Sequence, residues 1–355
     1  MQGKGNFPRN KLGKEDFEMK KFFAMLMALV MALSLIACGG SNDAPAEDTG
    51  DDAAQEETAA PAGGELKFTT GGDQGTYYGF GTVLAGQVSG ATGTTVTAIT
   101  SGGSKANIET MEAGDAQLGF VQSDVMAYAY NGTSLFEGAP VEGFSTVAAL
   151  YMEQVQIVTL DPSIQTVADL AGKNVSIGAA GSGVYFNALD ILAAYDLTVE
   201  DITPTFEDFG NSVESLQDGK IDAAFIVAGA PTTAVTSLAT SKDVYLVSLD
   251  DAHIDTLKAA CPYYDKSVIA ADTYGMPSDV TTVAVGAVVI ANDSVAEDDV
   301  YNFVSTIFEN VDTITNAHAK GAELNLEFAA SVTAVPYHAG AAKYFTEKGL
   351  TVPTK

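Results

Sequence analysis

Several short polar loops in this chain follow apolar segments and contain residue types that bind small molecules. Glycine, serine, threonine, asparagine and glutamine dominate these loops. Such residues at helix starts leave backbone N–H donors and hydroxyl groups exposed, which suits an anionic or zwitterionic ligand. The loops are 71–79 (GGDQGTYYG), 101–107 (SGGSKAN), 122–124 (QSD), 181–183 (GSG) and 230–231 (AP). They predict a binding site.

The first of these loops combines bare backbone with aromatic side chains. Gly71, Gly72 and Gly75 allow the backbone to turn sharply and to approach a ligand closely. Tyr77 and Tyr78 begin a helix, where adjacent side chains point about 100° apart. Only one of the two rings can therefore face a cleft squarely, and we predict that it is Tyr77.

The loops contribute thirteen predicted ligand-binding residues. They are Gly75, Thr76, Tyr77, Ser101, Ser104, Asn107, Gln122, Ser123, Asp124, Ser182, Gly183, Val184 and Pro231. Each of them has an ordinary structural alternative, because serine, asparagine and glycine are also favoured helix caps. Their joint placement after predicted strands favours a shared binding site.

Catalytic and metal-binding patterns are weak by comparison. Ser182 is a conceivable nucleophile, but its surroundings do not match the Gly-x-Ser-x-Gly elbow. The three histidines, His253, His318 and His338, have no metal-ligand spacing. Leu84 replaces the third glycine of a dinucleotide-binding pattern. We predict no cofactor, no metal and no enzymatic activity; a hydrolase that uses Ser182 stays as an alternative.

Short apolar strands alternate with helix-length segments from Leu66 onward, which is typical of α/β units. The pattern restarts near residue 174, and this predicts two lobes joined by two crossings near 150–158 and 275–285. At the first crossing, the segments 145–151 and 154–160 are predicted as two strands. In such sheets ligands bind beyond the carboxyl ends of the strands, where the polar loops lie.

The N-terminal residues predict export and attachment to a membrane. Lys20 and Lys21 precede an apolar run over 22–37, and 35–38 (LIAC) resembles a bacterial lipobox. We predict a signal peptide over 1–37, with Met19 as a possible true start, and lipid on Cys38; an uncleaved anchor helix is the alternative. Residues 38–65 are acidic and lack the apolar residues of a core, so they predict a flexible tether.

The charge of the chain limits its partners. The formal net charge is −29, which argues against nucleic acid and against adsorption to anionic lipid. Without residues 1–37 the chain has 11 basic and 43 acidic residues, a net charge of −32, and no arginine. Lys105 is the single lysine in the polar loops. A bound anionic group is therefore predicted to rely on backbone N–H groups, above all at 182–184.

One family resemblance covers nearly all of residues 66–350. The chain resembles the TAXI group of TRAP-transporter solute receptors through the ordered segments 74–81 (QGTYYGFG), 101–124 (SGGSKANIETMEAGDAQLGFVQSD), 169–183 (DLAGKNVSIGAAGSG), 217–225 (QDGKIDAAF), 272–275 (DTYG) and 336–350 (PYHAGAAKYFTEKGL). The family's usual Leu-His-Pro-Gly-Ala is here 337–341 (YHAGA), which weakens the match in that segment.

The resemblance implies a two-lobed periplasmic-binding-protein-like fold of type II, with lobe I over 66–152 plus 280–355 and lobe II over 153–279. It implies a monomeric extracytoplasmic receptor for a small organic acid or an amino acid such as glutamate or glutamine. The implied partner is a membrane permease driven by an ion gradient, and Tyr274 joins the predicted site. A binding lipoprotein that senses its ligand, or that serves an ATP-driven importer, is the alternative.

Overall fold

The computed structural model describes residues 64–355. The predicted signal peptide, the lipidation site Cys38 and almost all of the predicted tether lie outside the described residues. Among residues 64–355, no helix has the length and apolar character needed to cross a membrane.

Ten strands form one mixed sheet in the described part of the chain. They are β1 (Glu65–Thr69), β2 (Thr95–Ile99), β3 (Leu118–Gln122), β4 (Phe144–Thr159), β5 (Asn174–Ser176), β6 (Thr203–Thr205), β7 (Ala223–Ala228), β8 (Tyr245–Leu246), β9 (Asp265–Ile269) and β10 (Val280–Asn292).

The strand order is β2-β1-β3-β10-β4-β7-β5-β6, with β8 on β4 and β9 on β10. The outer strands pair in parallel, as β1 with β2 and β3, and as β5 with β6 and β7. The two long central strands, β4 and β10, run antiparallel to each other and to their neighbours β7 and β3. They therefore divide the sheet into a first half around β1–β3 and a second half around β5–β7.

Helices connect the parallel strands and cover the sheet. They are α1 (Thr76–Ala91), α2 (Ser104–Glu112), α3 (Ser123–Asn131), α4 (Gly183–Ala194), α5 (Phe209–Gln217), α6 (Thr233–Ala239), α7 (Asp251–Ala260), α8 (Glu297–Glu309), α9 (Val311–Ala317), α10 (Leu326–Ala329) and α11 (Ala339–Glu347). Short 3₁₀ turns lie at Ser134–Phe136, Val167–Leu170, Val199–Asp201, Ala271–Thr273 and Ala319–Glu323.

Each half of the sheet has its own hydrophobic core. Phe68, Phe120 and Phe303 are completely buried in the cluster of the first half. In the second half, Ile157 and Phe225 are equally buried in a separate cluster. Burial of such large side chains is the main stabilising contribution to folding, so the cores fix the positions of the loops that extend from them.

One predicted feature of the crossing is wrong: the segments 145–151 and 154–160 form a single strand, β4. Its pairing with β10 continues through the centre, where Met152 lies opposite Gly286 and Glu153 opposite Val285. Both faces of β4 and β10 are covered, so the two strands are apolar almost throughout. The charged residue Glu153 interrupts the apolar sequence of β4 and gives it the pattern of two shorter strands. Strand β9 was not predicted, because its sequence DKSVI is largely polar.

The α/β periplasmic-binding-protein-like fold class predicted from the sequence is confirmed. The segment 150–158 lies within β4, and the segment 275–285 overlaps the first residues of β10, which begins at Val280. Parallel strands with helices lie on either side of these two strands. The lobe boundaries at 152/153 and 279/280 stay a prediction.

Candidate functional site

A cavity of about 120 Å³ lies between the two halves, at the carboxyl ends of the parallel strands. The first half contributes the loops after β1 and β2 and the end of β3, and the second half contributes the loops after β5 and β6 and the end of β7. Its lining residues are Gly71–Tyr77, Ser101–Ser104, Gln122, Glu153, Ala179, Ser182–Val184, Asp208–Gly210, Val227 and Ala228. The location is the one expected for ligands of open α/β sheets.

Backbone and hydroxyl contacts join the two halves around this cavity. The Ala106 amide donates to the Gly181 carbonyl at 3.0 Å. The Thr76 hydroxyl donates to the carbonyl of Gly229 at 3.2 Å. Gly103 (φ +102°) places its Cα so close to Ser182 that a Cβ there would lie 3.2 Å from the Ser182 Cα. The structure therefore has the two halves closed over the cavity.

Helix starts on both halves point their free donors at the cavity. Helix α1 begins after Gly75 and α2 begins after Gly103, and neither has a side-chain cap. Helix α4 begins after Ser182, whose hydroxyl accepts from Tyr185 N and leaves the amides of Gly183 and Val184 without a side-chain partner. Uncapped N–H groups at helix starts favour negative charge.

The floor of the cavity contains a buried carboxyl group, Glu153, from the middle of β4. Only 2% of its surface is exposed. The Tyr77 hydroxyl donates to Glu153 Oε2 at 2.7 Å, and the Tyr77 ring stacks on Phe120 at 4.6 Å. Burial raises the pKa of Glu153 to about 8, against the lowering effects of the Tyr77 hydrogen bond and of Lys320.

Lys320 is a buried base close to this carboxyl group, and it does not line the cavity. Its ammonium group pairs with Glu323 and lies 5.5 Å from the centre of the Tyr151 ring. The Lys320 side chain also packs against Gly229, where a Cβ would come within 2.2 Å of Lys320 Cε. Lys320 thus joins the 3₁₀ turn at 319–323 to the end of β7.

One protein-family model matches most of the chain. A model described as the NMT1-like family matches residues 68–349, which include every element that lines the cavity. The chain belongs to the NMT1-like family.

Solved structures with a similar fold include several binding proteins, all at low sequence identity. The alkanesulfonate-binding protein SsuA from Xanthomonas axonopodis pv. citri, bound to MOPS, is 16% identical, with 80% of this chain and 90% of that chain covered and a TM-score of 0.46. The periplasmic aliphatic sulphonate binding protein SsuA from Escherichia coli is also 16% identical, with the same coverage and a TM-score of 0.43. A putative L-cystine ABC transporter from Listeria monocytogenes is 14% identical, with 74% and 98% covered and a TM-score of 0.45.

Nine of the predicted binding residues of this NMT1-like protein line the cavity. They are Gly75, Thr76, Tyr77, Ser101, Ser104, Gln122, Ser182, Gly183 and Val184. Of the two adjacent tyrosines, Tyr77 lies in the lining. Gln122 is 2% exposed, and its Oε1 atom has no hydrogen-bond partner among the described residues. Whether these residues contact a ligand stays a prediction.

Asn107, Ser123 and Asp124 were predicted for the site and do not line the cavity. Asn107 is completely buried and donates to the carbonyls of Thr70 and Phe120 at 2.6 and 2.7 Å, so it holds the first half together. The Ser123 hydroxyl accepts from the Gly286 amide at 2.9 Å. Both side chains satisfy backbone groups, which is the structural alternative for such residues.

Pro231 and Tyr274 also lie away from the cavity. Pro231 follows a cis peptide bond, is exposed, and precedes α6, which begins at Thr233. The Tyr274 hydroxyl donates to Gln156 and accepts from the Thr232 amide at 2.8 Å. These contacts brace the end of β7 behind the site.

Asp124 belongs to a buried polar cluster that links α3 to α4. Asn187 donates to Asp124 Oδ2 and to the Tyr264 hydroxyl, both at 2.8 Å. The hydroxyls of Tyr128 and Tyr264 donate to Asp190 Oδ2, both at 3.0 Å. Burial, reinforced by the charge of Asp190, raises the pKa of Asp124 to about 7. The cluster therefore places two carboxyl groups between the halves.

Ser182 lacks the surroundings of a nucleophile. Its hydroxyl donates to the Ala179 carbonyl at 2.7 Å and accepts from Tyr185 N, so it caps α4. The histidines are engaged elsewhere: His253 with Asp250, and His318 and His338 with backbone amides of their own turns. Within residues 64–355, no group of three or more His, Cys, Asp or Glu side chains could hold a metal ion.

Glu153 and Lys320 were not predicted as part of the site. Glu153 is the single charged residue among the sixteen of β4, and it lies between the two strands predicted over 145–151 and 154–160. Lys320 lies in the segment 317–323 (AHAKGAE), which resembles an ordinary exposed turn. No local pattern shows that its side chain crosses to β7.

Proposed function

We propose that this protein is an extracytoplasmic receptor that captures a small carboxylate-bearing solute and delivers it to a membrane permease. The observation that supports this proposal most directly is the cavity between the halves of the sheet, which both halves build from uncapped helix starts and small polar residues. A carboxylate fits these N–H donors. In this reading the protein binds its solute and does not transform it.

The test is the identification of a co-purifying solute. Protein purified without refolding is denatured, and the released molecules are analysed by mass spectrometry. We expect one small carboxylate-bearing compound in about equimolar amount. Turnover of that compound by the native protein, or a failure of any small carboxylate to bind, contradicts the proposal.

We further propose that the permease is of the TRAP type. The basis is the resemblance of the ordered segments described above to the TAXI group. The competing reading is a receptor for an ATP-driven importer or for a sensor. Uptake of the identified solute by cells that express the receptor with its permease distinguishes them. Collapse of the ion gradient stops TRAP-type uptake even when ATP is maintained.

We also propose that lipid on Cys38 attaches the protein to the membrane. The Cys38→Ala variant should lose its membrane association or remain unprocessed, because the modified sulfur is absent. Membrane fractionation with immunoblotting checks this outcome. Persistent membrane association of the processed Cys38→Ala protein contradicts the lipid anchor.

If backbone N–H groups bind the carboxylate, then removal of one of them should weaken solute binding. Val184→Pro removes one N–H at the second residue of α4, a position where proline is tolerated. A charge-assisted hydrogen bond contributes about 1.5–3 kcal/mol, so affinity should fall by roughly 10–150-fold. Val184→Ala is the matched control, since it shortens the side chain and keeps the N–H.

Lys105→Met should change the affinity much less than Val184→Pro. Lys105 pairs with Glu109 and lies 5.5 Å from the centre of the Phe136 ring, outside the cavity lining. Calorimetric titration of all three variants with the co-purifying solute decides between the mechanisms. Loss of binding in Lys105→Met with normal binding in Val184→Pro contradicts recognition by backbone donors.

A further inference from the structure

The cavity has an unusual balance of charge for a site that binds a carboxylate. Three of its lining residues, Asp73, Glu153 and Asp208, are acidic, and no lysine, arginine or histidine is among them. A solute whose only charge is negative meets repulsion and no cation there. A solute with both signs of charge is accommodated, provided that its positive group reaches an acidic side chain.

Glu153 is the acidic side chain placed to receive such a group. It is 2% exposed, and that exposure is to the cavity that it lines. Its Oε2 atom accepts from the Tyr77 hydroxyl at 2.7 Å. The neighbouring base does not fill this role, because Lys320 pairs with Glu323. A buried carboxylate without a cationic partner is costly, and a ligand that supplies the cation relieves the cost.

Gln122 provides a second acceptor at the same cavity. Its side chain is buried, and Oε1 lacks a partner in the described part of the chain. Buried polar atoms are nearly always hydrogen-bonded in native proteins, so an unpaired acceptor in a cavity wall points to a donor on the bound molecule. An ammonium group has three donors and can serve both oxygens.

We infer that Glu153 selects solutes that carry an ammonium group, so that the natural ligand is an amino acid and not a 2-hydroxy or 2-oxo acid. The inference rests on the proposed receptor function. In the complex, the ammonium group lies at Glu153 on the cavity floor, and the carboxylate lies at the helix starts. Asp73 and Asp208, which line the cavity without being buried, favour the approach of the cationic end.

Paired probes test this inference. Each standard L-amino acid and its 2-hydroxy acid counterpart, such as L-alanine with L-lactate or L-glutamate with L-2-hydroxyglutarate, are compared by thermal shift and then by calorimetry. We expect the best amino acid to bind at least tenfold more tightly than its hydroxy acid.

In Glu153→Gln the affinity for the amino acid should fall by roughly 10–150-fold, because the charge is lost while the acceptor for Tyr77 remains. Glu327→Gln, the same change at an exposed position, is the control.

The pH profile separates a binding role from a structural one. The groups that face Glu153 are Tyr77 from α1, Tyr151 on its own strand, Lys320 from the 3₁₀ turn and, at longer range, Asp124 from α3. Because burial holds the pKa of Glu153 at about 8, binding of an ammonium group must displace a proton. Affinity should therefore rise by up to about tenfold per pH unit between pH 6 and 8 in the wild type, and the rise should be smaller in Glu153→Gln.

The possible results test the selection of an ammonium group and the receptor function separately. If a hydroxy or oxo acid binds as tightly as its amino acid, or if Glu153→Gln binds the amino acid normally, the ammonium assignment is wrong and the receptor function stands. If the co-purifying solute has no amino nitrogen, the assignment is equally wrong. If no probe binds and no solute co-purifies, the receptor function itself fails.

Discussion

Replacement of Gly183 by alanine should weaken solute binding by about 5–150-fold, the range that corresponds to 1–3 kcal/mol of overpacking. Gly183 is the first residue of α4, and it packs against the first half at the rim of the cavity. A Cβ at this position would lie 1.9 Å from Gln122 Oε1 and 2.8 Å from Ser104 Oγ. Both distances are far below van der Waals contact, so closure with the added methyl group requires something to move.

Either movement harms binding. If the Gln122 side chain turns away, it enters the cavity that it lines and occupies space needed by the solute. If Gln122 stays in place, the halves cannot close and the donors of α4 remain too distant from the first half. Small-angle scattering with saturating solute distinguishes the two cases, since only the second leaves the radius of gyration at its solute-free value.

Gly86→Ala is the matched control for this experiment. Gly86 lies in the middle of α1, and a Cβ there meets nothing within 4 Å. This variant should bind normally and gain up to about 1 kcal/mol of stability from the higher helix propensity of alanine. Normal solute affinity and normal compaction in Gly183→Ala contradict the view that closure brings α4 against Gln122 and Ser104.

The sequence predicts the location of the site better than its chemistry. Glycine-rich loops after β1 and β2 were recognisable because each follows a short apolar strand and precedes a helix. The same reasoning fails one or two residues further on. Ser123 and Asp124 follow Gln122 directly, yet they begin α3, and the helical turn points their side chains away from the cavity. Asn107 lies one turn into α2, where its amide binds strand carbonyls.

The buried charges depend on contacts that no local pattern contains. Glu153 meets Tyr77 across 76 residues of sequence, and Lys320 reaches Gly229 from the other end of the chain. Asp124 and Asp190 approach each other only because α3 packs against α4. Sequence patterns identify which face of an element is buried, whereas pairs of this kind arise from the packing of elements that are distant in the chain.

The solute-free protein should lose stability as the pH rises from 5 to 8. Asp124 and Glu153 have pKa values raised to about 7 and about 8, whereas in the unfolded chain such groups titrate near 4. The folded state therefore holds more protons than the unfolded state. This contribution is fully present below about pH 4 and is lost as the pH rises through the folded-state values. With at most about 1.4 kcal/mol per pH unit for each group, we expect a decrease of roughly 3–6 kcal/mol.

Urea denaturation at pH 5, 6, 7 and 8 measures this slope, and the double variant Asp124→Asn/Glu153→Gln isolates its source. Burial also raises the pKa of Asp190, so this carboxyl group adds to the decrease. The lowered pKa values of Asp161, Asp169 and Asp250 affect stability below the window, and the lowered pKa values of His318 and His338 oppose the decrease inside it. All of these groups remain in the double variant, which should therefore show a flatter profile than the wild type. Its stability should exceed that of the wild type most at pH 8, where in the wild type Asp124 is ionised and Glu153 is about half ionised. Equal slopes in the two proteins would mean that neither buried carboxyl group is protonated in the native state at neutral pH.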